Sequence, residues 1–218
     1  MLDTRLNKHI DLLMKRYPAL ECIKQEIIDV YLVMEECHVN GGKLMVAGNG
    51  GSAADFEHIA GELMKRFKTP RPVSKEFAEK LIAVDSVRGA DLAKNLACGL
   101  MAIPLVAHKA LSKAYINDVD GLGVFAQQLL GFGRSGDVFL GISTSGNSKI
   151  VMSATVVARA LGIKVIGLTG VKGGALATVA DVCVKVPETE TYRIQEYHLP
   201  IYHCWCLKLE NRFFGECS

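Results

Sequence analysis

No cluster of Lys and Arg long enough to form a polyanion-binding patch occurs in this chain of 218 residues, and its formal net charge is only +2. That excludes the electrostatic footprint of a nucleic-acid-binding protein. No apolar stretch reaches the length of a membrane span, because Lys, Asp or Glu interrupts every candidate. The segment Met1–His9 lacks the apolar core of a signal peptide. There is no Cys-x-x-Cys pair, which argues against a zinc knuckle or a thioredoxin-type site. The seven cysteines are odd in number, and Cys22, Cys98, Cys183, Cys204 and Cys206 sit inside apolar patterns. They read as buried, reduced thiols of a cytoplasmic protein. No Gly-x-x-x-x-Gly-Lys-Ser/Thr occurs, so a P-loop is excluded, and there is no internal repeat or low-complexity tract. With half its residues hydrophobic, a chain of this length can bury a core in one domain.

What is present centres on Leu44–Glu62. Leu44-Met-Val-Ala47, with Lys43 before it, reads as a short buried strand bounded by Gly42 and Gly48. Gly48, Gly50 and Gly51 allow a sharp turn and close backbone approach, Ser52 stands where a helix N-cap is expected, and a helix follows. A strand, a glycine turn and a helix N-terminus make an anion site, since free amides and the helix dipole both favour negative charge. His58 and Glu62, four residues apart, share one face of that helix.

A second loop repeats this placement. Gly136–Ile142 reads as a buried strand running into Ser143-Thr-Ser-Gly-Asn-Ser148 and then a helix through Leu161. Ser143, Thr144, Ser145 and Ser148 surround Gly146 with hydroxyls at a strand's C-terminal end, where open α/β sheets bind ligands. One such loop alone is a helix cap. Two on neighbouring strands point to a phosphate monoester held without Lys or Arg. A dinucleotide site is the competitor, because Gly48-x-Gly50-x-x-Ala53 nearly fits that fingerprint. The acidic residue required about twenty positions on would fall in the Pro70–Pro72 break, which argues against it.

Residues 2–40 read as a helical arm interrupted at Tyr17-Pro18, completing a subunit interface or packing along the same subunit's sheet. After the Lys68–Ser74 break, Lys75–Leu100 is helical in pattern with Gly89 as a joint. A strand is expected at Ile103–Ala107 and helices at His108–Asn117 and Asp120–Phe132. Strands at Lys164–Thr169 and Val182–Val186 flank a short helix near Ala175–Ala180, and a last helix spans about Tyr192–Phe213. Strands alternate with helices and are continuously apolar, which predicts a three-layer α/β/α sandwich around a mostly parallel sheet.

Gly48-Asn-Gly-Gly-Ser52, Gly141-Ile-Ser-Thr-Ser-Gly-Asn-Ser148 and Arg193-Ile-Gln-Glu-Tyr-His198 together resemble the sugar isomerase (SIS) domain, and within it the phosphoheptose isomerases. The resemblance covers most of the chain from Lys43 onward and, more loosely, the N-terminal arm. It implies a flavodoxin-like SIS domain over 41–218, a helical arm over 1–40 that serves as an oligomer contact, and a helical insertion at about 68–102. It also implies an aldose–ketose isomerase that converts sedoheptulose 7-phosphate to D-glycero-D-manno-heptose 7-phosphate. By the same resemblance Asn49, Gly50, Gly51, Ser52, Asn117, Asp118 and Gln195 contact the substrate, while Ser143, Thr144, Ser145 and Ser148 hold its phosphate. His58, Glu62, Gln195 and His203 form the metal set, for one zinc per subunit, with Glu62 and His203 as the acid/base pair. The family is typically a cytoplasmic homotetramer with active sites at subunit contacts.

The chemistry agrees with the residue types. Imidazole and carboxylate are ordinary zinc ligands, and the Gln oxygen is a weaker donor that leaves room for substrate. Isomerisation through an enediol needs a base, an acid and a group to polarise the carbonyl. Taken singly, His58 would be a surface histidine, Glu62 a solvated charge, and His198 a structural residue beside Pro200; the constellation lifts the set. Two departures stand out: the stretch between Arg66 and Pro104 is longer than in the family, and Ala107-His108 replaces its Ser-Asp pair. The alternative class is a non-catalytic SIS-type protein that binds a phosphosugar or regulates replication initiation. Retention of Glu62 and His203 favours the enzyme.

Overall fold

The computed structural model describes residues 4–215, with side chains from residue 8 onward. Five strands form one parallel sheet: β1 (Leu44–Ala47), β2 (Ala102–Pro104), β3 (Val138–Ile142), β4 (Lys164–Gly170) and β5 (Val182–Val186), in the order β2-β1-β3-β4-β5. β1 and β3 are buried along their whole length, as strands covered on both faces must be. β2 is the short edge strand, and it carries Pro104 where a missing ladder donor is tolerated.

The period of two in each strand divides the core. Leu44, Val46, Val138, Leu140, Ile142, Ile166 and Leu168 face a layer made by α1 (Thr4–Arg16), α2 (Lys24–Val39), α3 (Gly51–Met64) and α10 (Thr191–Phe214). Met45, Ala47, Phe139 and Val165 face the opposite layer, where α7 (Val124–Phe132), α8 (Lys149–Ala160) and α9 (Gly174–Val179) pack. This is the expected α/β/α sandwich. The N-terminal arm belongs to the first layer: α1 lies along α10, and Ile27, Val30, Tyr31 and Met34 of α2 are buried under the sheet. Trp205 donates its indole N–H to the carbonyl of Ile27 at 2.9 Å, which ties α10 to α2.

Three local expectations are corrected. The N-cap of α3 is Gly50, not Ser52, because the junction needs φ +59, a left-handed conformation that favours glycine. Ser52 is instead a buried residue of the first helical turn. The 75–100 stretch breaks at Asp85, which caps the second helix by accepting from the amides of Val87 and Arg88. It forms a hairpin of α4 (Lys75–Val84) and α5 (Ser86–Asn95), and Gly89 is its crossing point, where a Cβ would strike the carbonyl of Leu81. Gly89 is also the hairpin's one buried residue. The helix expected from Asp120 begins as a 3-10 turn, Gly121–Gly123, ahead of α7.

Candidate active site

The strand order reverses between β1 and β3, and the loops after both strands meet there, at the sheet's C-terminal edge. Asn49 Nδ2 donates to Ser148 Oγ at 3.0 Å, so the glycine turn and the hydroxyl loop are joined directly. Ser148 caps α8 without a side-chain bond to the helix, and Gly146 takes φ +67 to bend the loop. The first amides of α3 and α8 have no intrahelical partner, and Ser52, Ser143, Thr144 and Ser145 lie beside them. Two helix N-termini and a cluster of hydroxyls thus converge on one edge, the arrangement that receives a phosphate.

From that edge α3 and α10 run side by side in the same direction. Gln195 packs its carboxamide on Gly51, where a Cβ would come within 2.6 Å of Nε2. Further along, Tyr202 meets Asp55 and His58, and His203 meets His58. Beyond them Glu210 accepts from the amides of Phe67 and Lys68.

The expected chemical residues come together midway. His58 Nε2 lies 3.3 Å from Glu62 Oε1 and 3.4 Å from His203 Nε2, and the two imidazoles meet edge to face. Glu62 is 8 % exposed and turns Oε2 to Lys65 Nζ at 3.1 Å. His203 is pushed below the ordinary histidine range by burial and by His58, with Glu62 opposing. Among the described residues no group of three or more His, Cys, Asp or Glu side chains is gathered so as to hold a metal ion. The two spacings at His58, 3.3 and 3.4 Å, fall in the range between donors on a tetrahedral zinc, about 3.3–3.6 Å at bonds of about 2.0–2.2 Å. Gln195 does not join these three within the chain. A helix rises about 1.5 Å per residue, so eight residues put it about 12 Å from His203, beside Gly51 at the start of α3.

Asn117 and Asp118 end α6 (Lys109–Asp118) in the open, with Asn117 Nδ2 donating to Asp118 Oδ1 at 2.8 Å. Among the described residues no hydrogen bond ties them to the two loops. His108 stacks on Phe132 and bonds Gln128 Oε1 through Nδ1 at 2.9 Å. His198 is buried, 3.4 Å from the carbonyl of Thr169, and burial pushes its pKa down to about 4, so it is a neutral core residue.

Residues 86–170 match the family model described as "SIS domain". The chain is 39% identical over 202 residues to the phosphoheptose isomerase of Geotalea daltonii, covering 91% of this chain and 92% of that one. This chain belongs to the phosphoheptose isomerase family. It is also 39% identical to the phosphoheptose isomerase of Aneurinibacillus thermoaerophilus over 82% of its own length and 77% of that protein's. The solved phosphoheptose isomerase of Neisseria gonorrhoeae superposes with a TM-score of 0.72 at 30% identity, covering 97% of this chain and all of that one. That of Francisella tularensis gives 0.74 at 28%, over 95% and 97%.

Against that family background, two residues that no motif marks gain a place at the site. Tyr202 donates to Asp55 Oδ1 at 3.1 Å and lies 3.2 Å from His58 Nδ1. Arg71 donates to the carbonyls of Glu62 and Leu63 at the end of α3 and pairs with Glu210. The hydropathy pattern hides both: Tyr202 reads as core, and Arg71 sits in a proline break.

Proposed function

We propose that this chain isomerises sedoheptulose 7-phosphate to D-glycero-D-manno-heptose 7-phosphate. The observation that carries this reading is the spacing along α3. Ser52 and the two phosphate loops lie at its start, while the helix rise places His58 and Glu62 about 9 and 15 Å further on. That separation suits an extended sugar phosphate, whose phosphate and carbonyl ends are far apart, better than a triose phosphate. Asn49, Gly50, Gly51, Ser52 and the hydroxyls of Ser143, Thr144, Ser145 and Ser148 anchor the phosphate end. Gln195, beside Gly51, contacts the sugar near it, and Asn117 and Asp118 border the opening.

At the other end Glu62 takes a proton from C1 of the ketose and returns it at C2, through the enediol. His203, held below the ordinary histidine range, moves the proton between the two oxygens. A neutral imidazole and a carboxylate can exchange protons in this way near neutral pH. His58, Glu62 and His203 would hold a zinc ion, which when bound would polarise the substrate carbonyl. Glu62 presents its two oxygens to different partners, Oε1 to His58 and Oε2 to the exposed Lys65. Among the described residues no helix is long and apolar enough to cross a membrane. We infer a cytoplasmic enzyme that assembles as a homotetramer, with the outer face of the N-terminal arm at subunit contacts.

Turnover of sedoheptulose 7-phosphate, with zinc content measured alongside, tests the reading. Glu62→Gln keeps the shape of the side chain but removes its basicity, and His203→Ala removes the acid. Each should lower kcat by at least about a hundredfold in a folded protein of unchanged oligomeric state. Unimpaired turnover by Glu62→Gln would show that another group is the base, and no turnover by wild type on any phosphoketose would end the enzyme reading.

A further inference from the structure

His198 is a polar core residue to which the reaction assigns nothing. It is fully buried, its Nε2 lies 3.4 Å from the carbonyl of Thr169, and among the described residues its Nδ1 has no partner. Burial keeps the ring neutral, and a carbonyl can only accept. Nε2 therefore carries the proton, and Nδ1 keeps an unmet lone pair in the core. Leucine would fill this space without that atom. Buried polar atoms are ordinarily paired, and departures from that rule gather where function needs them.

The carbonyl that His198 meets belongs to a peptide group gripped from two sides. At the end of β4 the Thr169–Gly170 peptide accepts from His198 through its C=O and donates its N–H to the carbonyl of Thr144 at 3.0 Å. Thr144 lies in the hydroxyl loop, and His198 on α10. A planar trans peptide points these two groups in opposite directions, so it acts as a rigid spacer between loop and helix. Gly170 permits the approach, since a Cβ there would strike Ile194 Cδ1 and the Thr144 carbonyl. One turn before His198, α10 carries Gln195, whose carboxamide covers Gly51. Two residues after it, Pro200 removes the bond its amide would give to the carbonyl of Glu196. The Trp205 anchor on Ile27 lies beyond that weakened turn, so the Gln195 half of α10 needs an anchor of its own. We propose that His198 is a positioning residue: through the Thr169–Gly170 peptide it sets the Gln195 half of α10 against the hydroxyl loop, so that both grip one ligand. The inference rests on the reading of that loop and Gln195 as the substrate-binding end.

The test compares His198→Leu, His198→Asn and His198→Gln in the full-length protein. The Gln amide reaches about as far as Nε2 and keeps the donor, the Asn amide reaches only to the place of Nδ1, and Leu has no donor. In His198→Leu the KM for sedoheptulose 7-phosphate should rise about five- to tenfold, as for one lost hydrogen bond. Its kcat should change less than about twofold, because His203 is held by the other half of α10. The Gly170 amide, which shares the gripped peptide, should exchange its hydrogen faster, read without substrate. The urea midpoint at neutral pH should be no lower than in wild type, since the unmet Nδ1 leaves with the ring. His198→Gln should restore both the KM and the exchange rate. Should His198→Leu fail to fold, His198→Asn carries the same predictions for KM and exchange. Unchanged KM and exchange in His198→Leu, or no rescue by His198→Gln, would overturn the proposal. So would a KM that rises only together with a fall in stability. Absence of turnover by wild type would overturn the isomerase reading instead, and exchange at Gly170 would still decide the role of His198.

Discussion

Arg71→Met tests how the end of α3 is held. Arg71 and Glu210 both have fully buried side chains and face each other at 2.8–2.9 Å, through Nη2 and Nε to one carboxylate oxygen. Arg71 also donates to the carbonyls of Leu63 at 2.7 Å and Glu62 at 3.0 Å. Burial pushes the Glu210 carboxyl up, but the amides of Phe67, Lys68 and Thr69 together with Arg71 outweigh it and hold it below the usual carboxylate range. Removing the guanidinium leaves a buried carboxylate with backbone amides alone, at a cost of about 3–5 kcal/mol. Against a total stability of about 5–15 kcal/mol this is a large fraction.

The pair can be separated from its scaffold by a cycle. In Arg71→Met/Glu210→Met the charges go together, so part of the loss should return, as for other buried pairs replaced by apolar residues. Recovery should stay incomplete, because the carbonyl of Glu62 and the amides of Phe67 and Lys68 lose these partners, at about 1–3 kcal/mol for each group left buried, while the carbonyl of Leu63 keeps the amide of Leu100. Urea denaturation at matched protein concentration gives the numbers, with the slope checked for constancy. The functional consequence is separate: Arg71 holds the last turn of α3, which carries Glu62, and Phe67 packs at a tilt against the His203 ring, with centroids 5.5 Å apart. The double variant should therefore lose activity even where it is folded. A cost below about 1 kcal/mol for Arg71→Met would refute the reasoning, since a fully buried pair cannot lose one member so cheaply.

Ser143→Ala/Ser145→Ala should weaken binding of the phosphorylated ligand by about 1–3 kcal/mol, read by calorimetry with the non-phosphorylated sugar as control; unchanged affinity would move the phosphate elsewhere. His198, with its folded pKa pushed down to about 4 from the ordinary 6.5, makes a signed prediction for stability. Between those values the unfolded chain binds the extra proton, so stability falls as pH drops from about 6.5 toward 4, by up to about 3 kcal/mol. His198→Leu should flatten that part of the pH–stability curve, and an equally steep acid loss in the variant would place the titration on other histidines.

The sheet was readable because each strand is a short apolar run between turn residues, and Val182–Val186 begins and ends where its sequence pattern does. The two loops at the sheet's C-terminal edge were readable because glycine and hydroxyl residues follow a buried strand in each. The caps were less so: Ser52 has the better N-cap side chain, but the backbone's need for φ +59 gave the position to Gly50. Gly89 looked like a joint because glycine weakens helices, whereas its use is to let two helices touch. Gln195 and His203 do share a helix face, yet face-sharing says nothing of distance along the axis, and the axis separates them. Tyr202 with Asp55, and Arg71 with Glu210, lie 147 and 139 residues apart in sequence, so only the packed chain brings them together.

The parallel course of α3 and α10 connects these observations. Gln195 lies at Gly51, Tyr202 at Asp55 and His58, His203 at His58, and Glu210 at Phe67. Each step along one helix is matched by a step along the other, so one register sets the substrate end, the chemical centre and the closing ion pair together. That register is fixed away from the site, by Trp205 on the carbonyl of Ile27 and by Ile201 and Leu209 in the core under the sheet. A slip of α10 by one turn, about 5.4 Å, would leave Tyr202, His203 and Glu210 all without their present partners. Packing on the N-terminal arm is therefore part of how His203 is aligned with His58 and Glu62. Changes at Trp205 should reach the chemistry through geometry even though no atom of Trp205 belongs to the site.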